Sequence, residues 1–406
     1  LARIYLKTTE FLRFMYDFCH MIRPEILREA AAHLARKGPR TTWPLHWGAL
    51  NLQTAEKDWL MHHEAYSAKW PLLMAVPEFA PPPAANAEQA SSQATALWRG
   101  LWLKSLIPID EPHALDATGG SGIDTWGLEQ AGARVTAIEP DPHLAHLLEW
   151  NGRGRGRSVI ADSAENQHFA PKTFDWVYVD PSRRSTTGRL PLADLGAPNP
   201  QKHLATWRSW GREVVLKLSP MLDAAQVAQW FPDAAELAYV SYRREVKELV
   251  VRIPDSKSAN PSIFAVAVDE TGQEILRWPT RPAVHPETAR SVDAFLYDPD
   301  SVLVASGGAP SWAQAHQLLG LHPDSRLFTS SEYRSIPGCR IFAVESTHSR
   351  MPTDVAKASV VCRAFPERAD SLRARHRIGE DSERFLFATR LAGSTNHVFI
   401  VAKRLA

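Results

Sequence analysis

Between residues 113 and 220 the chain breaks into five short apolar runs, separated by segments long enough for helices. The runs are "HALDAT" (113–118), "RVTAIEP" (134–140), "SVIADS" (158–163), "FDWVYVDP" (174–181) and "EVVLKLSP" (213–220). Runs of this kind are strands buried on both faces, as in a parallel sheet covered by crossover helices. Strands alternating with helices build βαβ units, whose crossovers are almost always right-handed, so few topologies remain. The predicted fold class is α/β, with a doubly wound parallel sheet. "AYVSYRREVKELVVRI" (238–253) and "SIFAVAVD" (262–269) follow with no helix between them and predict a terminal antiparallel hairpin on that sheet.

Four zones follow along the 406 residues, a length that accommodates two or three cores. Residues 1–92 read as a helical N-terminal region closed by the proline-rich "VPEFAPPPAANAEQASS" (76–92). In it Trp43, Trp47, Trp59 and Trp70 are read as packing residues. Residues 93–278 hold the α/β sheet. Residues 290–340 give a strand and a helix in "AFLYDPDSVLVASGGAPSWAQAHQLLGL", and 341–406 a small α+β module with "ASVVCRAF", "ERADSLRARHRI", "RFLFATRLA" and "NHVFIVAKRL". The run "FLRFMYDFCHMIRPEI" is interrupted by Arg13, Asp17, His20 and Arg23, so neither a signal segment nor a membrane span is expected. Cys19, Cys339 and Cys362 lack the spacing of a zinc site or a disulfide framework, and a reducing cytoplasm without a bound metal is the expectation.

The first strand ends at Asp116 and leads into Thr118, Gly119, Gly120 and Gly122. Glycines there let the backbone approach a ligand, and the helix that opens near Thr125 presents free N–H groups to it. A dinucleotide site requires G-x-G-x-x-G, but the third position counted from Gly120 is Thr125, so no diphosphate cradle of that spacing exists and NAD is not the expected cofactor. Glu139 closes the second strand, where a carboxylate accepts both hydroxyls of a ribose. Asp162 closes the third, within reach of an adenine amino group, while Asp116 is expected to face a cationic end. A ribose and an adenine without a diphosphate describe S-adenosylmethionine.

These motifs together resemble one family. "AEQASSQATALWRG", "DATGGSGIDT", "DWVYVDPSRR", "LKLSPMLD", "REVKELVV", "FLYDPDSVLVASG" and "RFLFATRLAG" stand in the order and spacing of the class I S-adenosylmethionine-dependent methyltransferases with a THUMP-like domain, bacterial proteins regarded as RNA methyltransferases. The resemblance covers the chain from about residue 40 onward. It implies a Rossmann-like methyltransferase core, a ferredoxin-like segment over 290–340, a THUMP-like end, and structured RNA (ribosomal or transfer RNA) as partner.

In such enzymes the loop after the fourth strand faces the substrate, which here is "VDPSRR" (179–184). Asp180 would take a proton or hydrogen bond from the acceptor atom, and Pro181 would fix the turn beside it. Arg183 and Arg184 follow in place of an aromatic residue, which speaks against stacking of a base amine there; they suit phosphate or guanidinium stacking instead. Lys217 and Ser219 close the fifth strand on the same edge. No cysteine lies between residues 20 and 338, so methylation of pyrimidine C5 by covalent addition is disfavoured and nitrogen or oxygen is the expected acceptor. "YDPD" (297–300) reads as a turn and helix cap rather than a metal site, and Lys247 and Glu248 as a pair with each other. Residues 331–406 carry thirteen Lys and Arg against eight Asp and Glu, with Arg373, Arg375, Arg377, Lys403 and Arg404 as one candidate RNA face and Arg153, Arg155 and Arg157 as another. Two other readings stay open: an RNA-binding protein that retains the cofactor fold, and a methyltransferase acting on a small molecule or protein.

Overall fold

The structure is a computed structural model, and it describes residues 66–405 apart from 68, 77–78, 83, 186–187, 190–193, 257–259, 282–285 and 395. Trp43, Trp47, Trp59 and Cys19 lie outside the described residues, as does most of the expected N-terminal helical region. The chain divides into two compact units. The first takes in the described residues up to Lys217, with Pro254–Ser256 and Glu270–Gly272; the second holds the remainder.

In the first unit two short helices, α1 (Pro71–Met74) and α2 (Ala84–Gln89), precede α3 (Gln93–Leu106). Trp70 sits in their core, fully buried with Phe79, Leu97 and Trp126, and its indole N–H donates to the Ser91 carbonyl. Ser92 caps α3 by accepting from the Thr95 N–H. Strands β1 (His113–Asp116), β2 (Arg134–Ile138), β3 (Ser158–Ile160), β4 (Phe174–Val179) and β5 (Gly211–Leu218) alternate with α4 (Ile123–Gln130), α5 (Pro142–Asn151) and α6 (Pro200–Trp210). The strands lie in the order β5-β4-β1-β2-β3, with every neighbouring pair parallel. The chain order therefore reverses beside β1, which places the ligand crevice of a doubly wound sheet at the carboxyl ends of β1, β2 and β4. Helices α3 and α4 cross at two glycines: a Cβ on Gly100 would stand 2.2 Å from the Gly127 carbonyl oxygen, and one on Gly127 2.3 Å from that of Ala96. No larger residue fits at either position without separating the helices.

The second unit contains α7 (Ala224–Trp230) and the strands β6 (Glu236–Tyr242), β7 (Glu245–Pro254), β8 (Ser262–Val268) and β9 (Glu274–Pro279), ordered β9-β8-β6-β7. The run 238–253, expected as one strand, folds as an antiparallel hairpin, and β8 pairs parallel with β6 rather than closing the hairpin itself. Its two-residue turn is Arg243–Arg244, with φ of 53° and 63°. A turn of this type needs positive φ at both positions and ordinarily uses Asn-Gly, so two arginines gave no turn signal. The strain is offset by contacts of Arg244, whose guanidinium donates to Asp298 Oδ2 (2.9 Å) and to the Pro299 carbonyl (2.8 Å). Lys247 pairs with Glu245 at 2.5 Å, not with Glu248, because alternate strand residues share a face and neighbours do not; Glu248 is fully buried.

A seven-stranded sheet completes this unit: β10 (Phe295–Pro299), β11 (Leu319–Gly320), β12 (Phe328–Ser330), β13 (Cys339–His348), β14 (Ser359–Cys362), β15 (Arg384–Arg390) and β16 (His397–Arg404). Their order is β11-β12-β10-β13-β16-β15-β14. Helices α8 (Ser301–Ala305) and α9 (Ala309–Ala315) follow β10, and α10 (Ala369–His376) lies between β14 and the parallel strand β15. Alternation along β15 and β16 makes two cores, with Phe385, Phe387, Ile400 and Ala402 on one face and Leu386, Ala388, Phe399 and Val401 on the other. The boundary expected at 340/341 falls inside β13, so the segments 290–340 and 341–406 share one sheet. Asp300 caps α8 by accepting from the Val302 N–H, as "YDPD" predicted. Among the described residues no helix is long and apolar enough to cross a membrane.

Candidate functional site

At the carboxyl end of β1, Asp116 is fully buried. Its Oδ2 accepts from the Thr125 hydroxyl (2.6 Å) and its Oδ1 from the Thr118 N–H (3.1 Å). Burial pushes its carboxyl up to about 6 against these two hydrogen bonds. Asp116 thus ties the strand end to the first turn of α4. Thr125 is fully buried as its partner.

The glycines divide by role. A Cβ on Gly119 would lie 2.6 Å from Leu148 Cδ2, and one on Gly122, where φ is 84°, 2.7 Å from Leu148 Cδ1 and 3.0 Å from Arg157 Nη1. These two positions are glycine because α5 packs against the loop. A Cβ on Gly120, where φ is 51°, would meet nothing nearer than the Thr118 carbonyl oxygen at 3.7 Å, so this position presents the loop's open side. Its N–H donates to Glu139 Oε2 (2.8 Å), while Glu139 Oε1 accepts from the Asp141 N–H (2.9 Å). Burial raises the Glu139 carboxyl above the ordinary glutamate range. A carboxylate offers about four acceptor sites, and two are used here, which leaves capacity for a pair of hydroxyls.

Asp162 lies just beyond β3, half-buried. It accepts from Ser163 N–H (2.7 Å), Asn166 Nδ2 (2.8 Å) and Gln167 Nε2 (2.8 Å), and the Asn166 hydrogen bond is the largest influence holding its carboxyl below the usual range. The Gly120 opening, the Glu139 carboxylate and the Asp162 loop follow the carboxyl ends of three neighbouring strands, β1, β2 and β3.

Beyond β4 the Asp180 N–H donates to Thr118 Oγ1 (2.7 Å), so one hydrogen bond fastens the Asp-Pro corner to the glycine loop. Asp180 Oδ2 meets Lys217 Nζ at 2.5 Å, with the side chains 30 % and 12 % exposed. Pro181 is buried. Ser182 exchanges backbone hydrogen bonds with Ala197 (2.8 and 3.0 Å), closing the neck of the loop, and Arg183 Nε donates to the Asp194 carbonyl (3.2 Å). Arg184 begins a two-stranded ribbon, Arg184–Ser185 with Gly188–Arg189; its side chain is outside the described structure. The structure therefore brings Thr118, Asp180 and Lys217 together, and turns Arg183 back onto its own loop.

Sequence reasoning missed a second layer. Arg99 of α3, 1 % exposed, pairs with Asp124 and donates to Ser91 Oγ (3.0 Å), with its guanidinium 5.3 Å from the centroid of the Tyr178 ring. A buried arginine in the otherwise apolar "ATALWRGLW" was the available signal. Arg157, expected on an RNA-facing patch, is instead a buried two-pronged partner of Glu129 (2.7 and 2.8 Å) and also donates to the Leu148 carbonyl (2.7 Å). Arg153 stacks on Trp150 at 3.5 Å. On the other candidate face, Arg373 pairs with Glu380 and Arg375 with Glu367, while Lys403 and Arg404 are exposed on a different element.

Residues 340–404 match the family model described as THUMP domain-like. The chain is similar to a Mycobacterium tuberculosis protein named "Putative methyltransferase Rv1407" in strain H37Rv and "Putative methyltransferase MT1451" in strain CDC 1551, 30% identical over 165 residues. That match covers 39% of this chain and 34% of the relative, so the chain spans about a third of the length of the curated relatives it matches. It shares its fold with the crystal structure of a "putative methyltransferase" from Porphyromonas gingivalis W83, with TM-score 0.72, 23% identity, and coverage of 94% of this chain and 98% of that one.

Proposed function

We propose that the chain is an S-adenosylmethionine-dependent methyltransferase that modifies a nitrogen or oxygen of an RNA nucleotide, with the C-terminal module contributing to the grip on RNA. The observation that carries the reading is the Asp180 N–H to Thr118 Oγ1 hydrogen bond. It fastens the Asp180 corner to the glycine loop, which supports a reading in which that carboxylate stands beside a ligand held by the loop. The names of the mycobacterial relatives, the shared fold and the THUMP domain-like match support it; the family resemblance points to structured RNA, ribosomal or transfer.

Glu139 would hold the ribose hydroxyls, the Asp162 loop the adenine edge, and Gly119–Gly122 the backbone flank. When bound, the ligand supplies a methyl group activated by a sulfonium. The protein's own part is positioning: Thr118 and the closed Ser182–Ala197 neck fix the Asp180–Pro181 corner, and Asp180 orients the acceptor atom and takes its proton.

The test is transfer of labelled methyl to total RNA by the full chain. Label in RNA, lost in Asp180→Ala while calorimetry still registers cofactor binding, is the expected result. Label confined to small molecules or protein contradicts the RNA reading, and undiminished transfer by Asp180→Ala contradicts the assignment of the corner.

A further inference from the structure

We propose, resting on the methyltransferase reading above, that Asp180 and Lys217 form a dyad that selects the lactam edge of a nucleobase, a ring N–H beside a carbonyl as in guanine or uracil, and directs methylation to that ring nitrogen. Three observations point there. Asp180 Oδ2 is taken by Lys217, whereas Oδ1 has no partner among the described residues, and the side chain is 30 % exposed. Lys217 Nζ makes its one hydrogen bond among those residues to Asp180, so two of its three N–H donors remain available. Both groups stand on fixed supports, Asp180 through Thr118 and Lys217 within β5. The result is an acceptor and a cationic donor side by side, which complements a substrate edge with a donor next to an acceptor.

Other acceptors use this pair poorly. A ribose hydroxyl needs only the carboxylate and gives the ammonium no role. An exocyclic amine offers N–H beside a ring nitrogen, but an ammonium donating to that nitrogen draws the amine's electron pair into the ring and weakens the nucleophile. A lactam nitrogen has the opposite requirement. Its proton must leave for its pair to become nucleophilic, and the charge then develops on the neighbouring oxygen, where a preorganised ammonium stabilises it. In the balanced step the ring N–H proton passes to Asp180 Oδ1, and the freed nitrogen pair forms the bond to the methyl carbon. The C–S bond pair stays on sulfur, the carbonyl is restored, and the proton passes from Asp180 to water. The absence of an aromatic residue after Pro181 agrees, since this recognition works through the base edge.

Three measurements decide it. Unmodified ribosomal and transfer RNA transcripts are methylated with labelled cofactor and digested to nucleosides; label in 1-methylguanosine or 3-methyluridine is expected. Label on a ribose hydroxyl or an exocyclic amine overturns the lactam assignment and leaves the RNA reading intact, whereas absence of label from all RNA overturns that reading and the assignment with it. Lys217→Met should keep cofactor affinity by calorimetry and lower transfer about 10²–10³-fold, the usual cost of removing one donor at a developing oxyanion, with partial recovery in Lys217→Arg; transfer within threefold of wild type overturns the role of Lys217. Independently of turnover, protein carrying ¹³C-labelled lysine is titrated with nucleosides in the presence of S-adenosylhomocysteine. Guanosine or uridine should shift the Lys217 signal; an equal shift with adenosine or cytidine overturns the proposal.

Discussion

Asp116→Asn isolates the electrostatic cost of the buried strand end. In the wild type the carboxyl is raised from 3.8 to about 6, chiefly by burial. Between those two values the folded chain binds more protons than the unfolded one, so stability is greatest below 3.8 and is lost as pH rises through about 6. The full shift corresponds to about 3 kcal/mol, of which ~1.3 kcal/mol falls between pH 5 and pH 7. Asparagine keeps the shape: Oδ1 still accepts from the Thr118 N–H, and the amide can donate to Thr125 Oγ1. Urea unfolding of both proteins at pH 5 and pH 7 should show the variant gaining about 1 kcal/mol or more on the wild type over that interval. Parallel pH dependences would refute the reasoning, because they would mean that Asp116 ionises in the folded chain as easily as in the unfolded one.

Other outcomes follow from the same contacts. Arg157→Ala leaves Glu129 buried without its partner and should cost about 3–5 kcal/mol, while replacing both with apolar residues of similar volume should cost much less; a single variant near wild-type stability in urea unfolding contradicts the pairing. Glu139→Ala removes a charged acceptor and the anchor of the Gly120 N–H, so cofactor affinity by calorimetry should fall about tenfold or more; unchanged affinity removes Glu139 from the site. Burial pushes the Cys339 thiol up to about 12. Its alkylation by iodoacetamide at pH 8 should therefore be far slower in the folded chain than in urea, and equal rates would contradict the burial.

The five parallel strands were legible because runs such as "FDWVYVD" are apolar on both faces, and only a doubly covered sheet uses them. The glycine loop was legible as a loop, but its internal economy was not. That Gly119 and Gly122 serve Leu148, and that Asp116 serves Thr125, depends on where α5 and α4 pack, which residue order does not encode. Arginines misled twice. Arg157 reads as one of three evenly spaced surface charges in "NGRGRGRS", yet Glu129, far off in sequence, draws it inside. Arg243–Arg244 hides a hairpin turn because its strain is offset by Asp298, more than fifty residues away. The Asp180–Lys217 contact joins two strand ends already read as candidates, but that they would meet is a property of β4 and β5 being neighbours.

We propose that the crevice at the ends of β1, β2 and β4 takes adenosine without a diphosphate. Isothermal calorimetry of the full chain with S-adenosylhomocysteine should give saturable heat near one equivalent, with none from NAD. A silent titration with the first ligand and a saturable one with the second would contradict it.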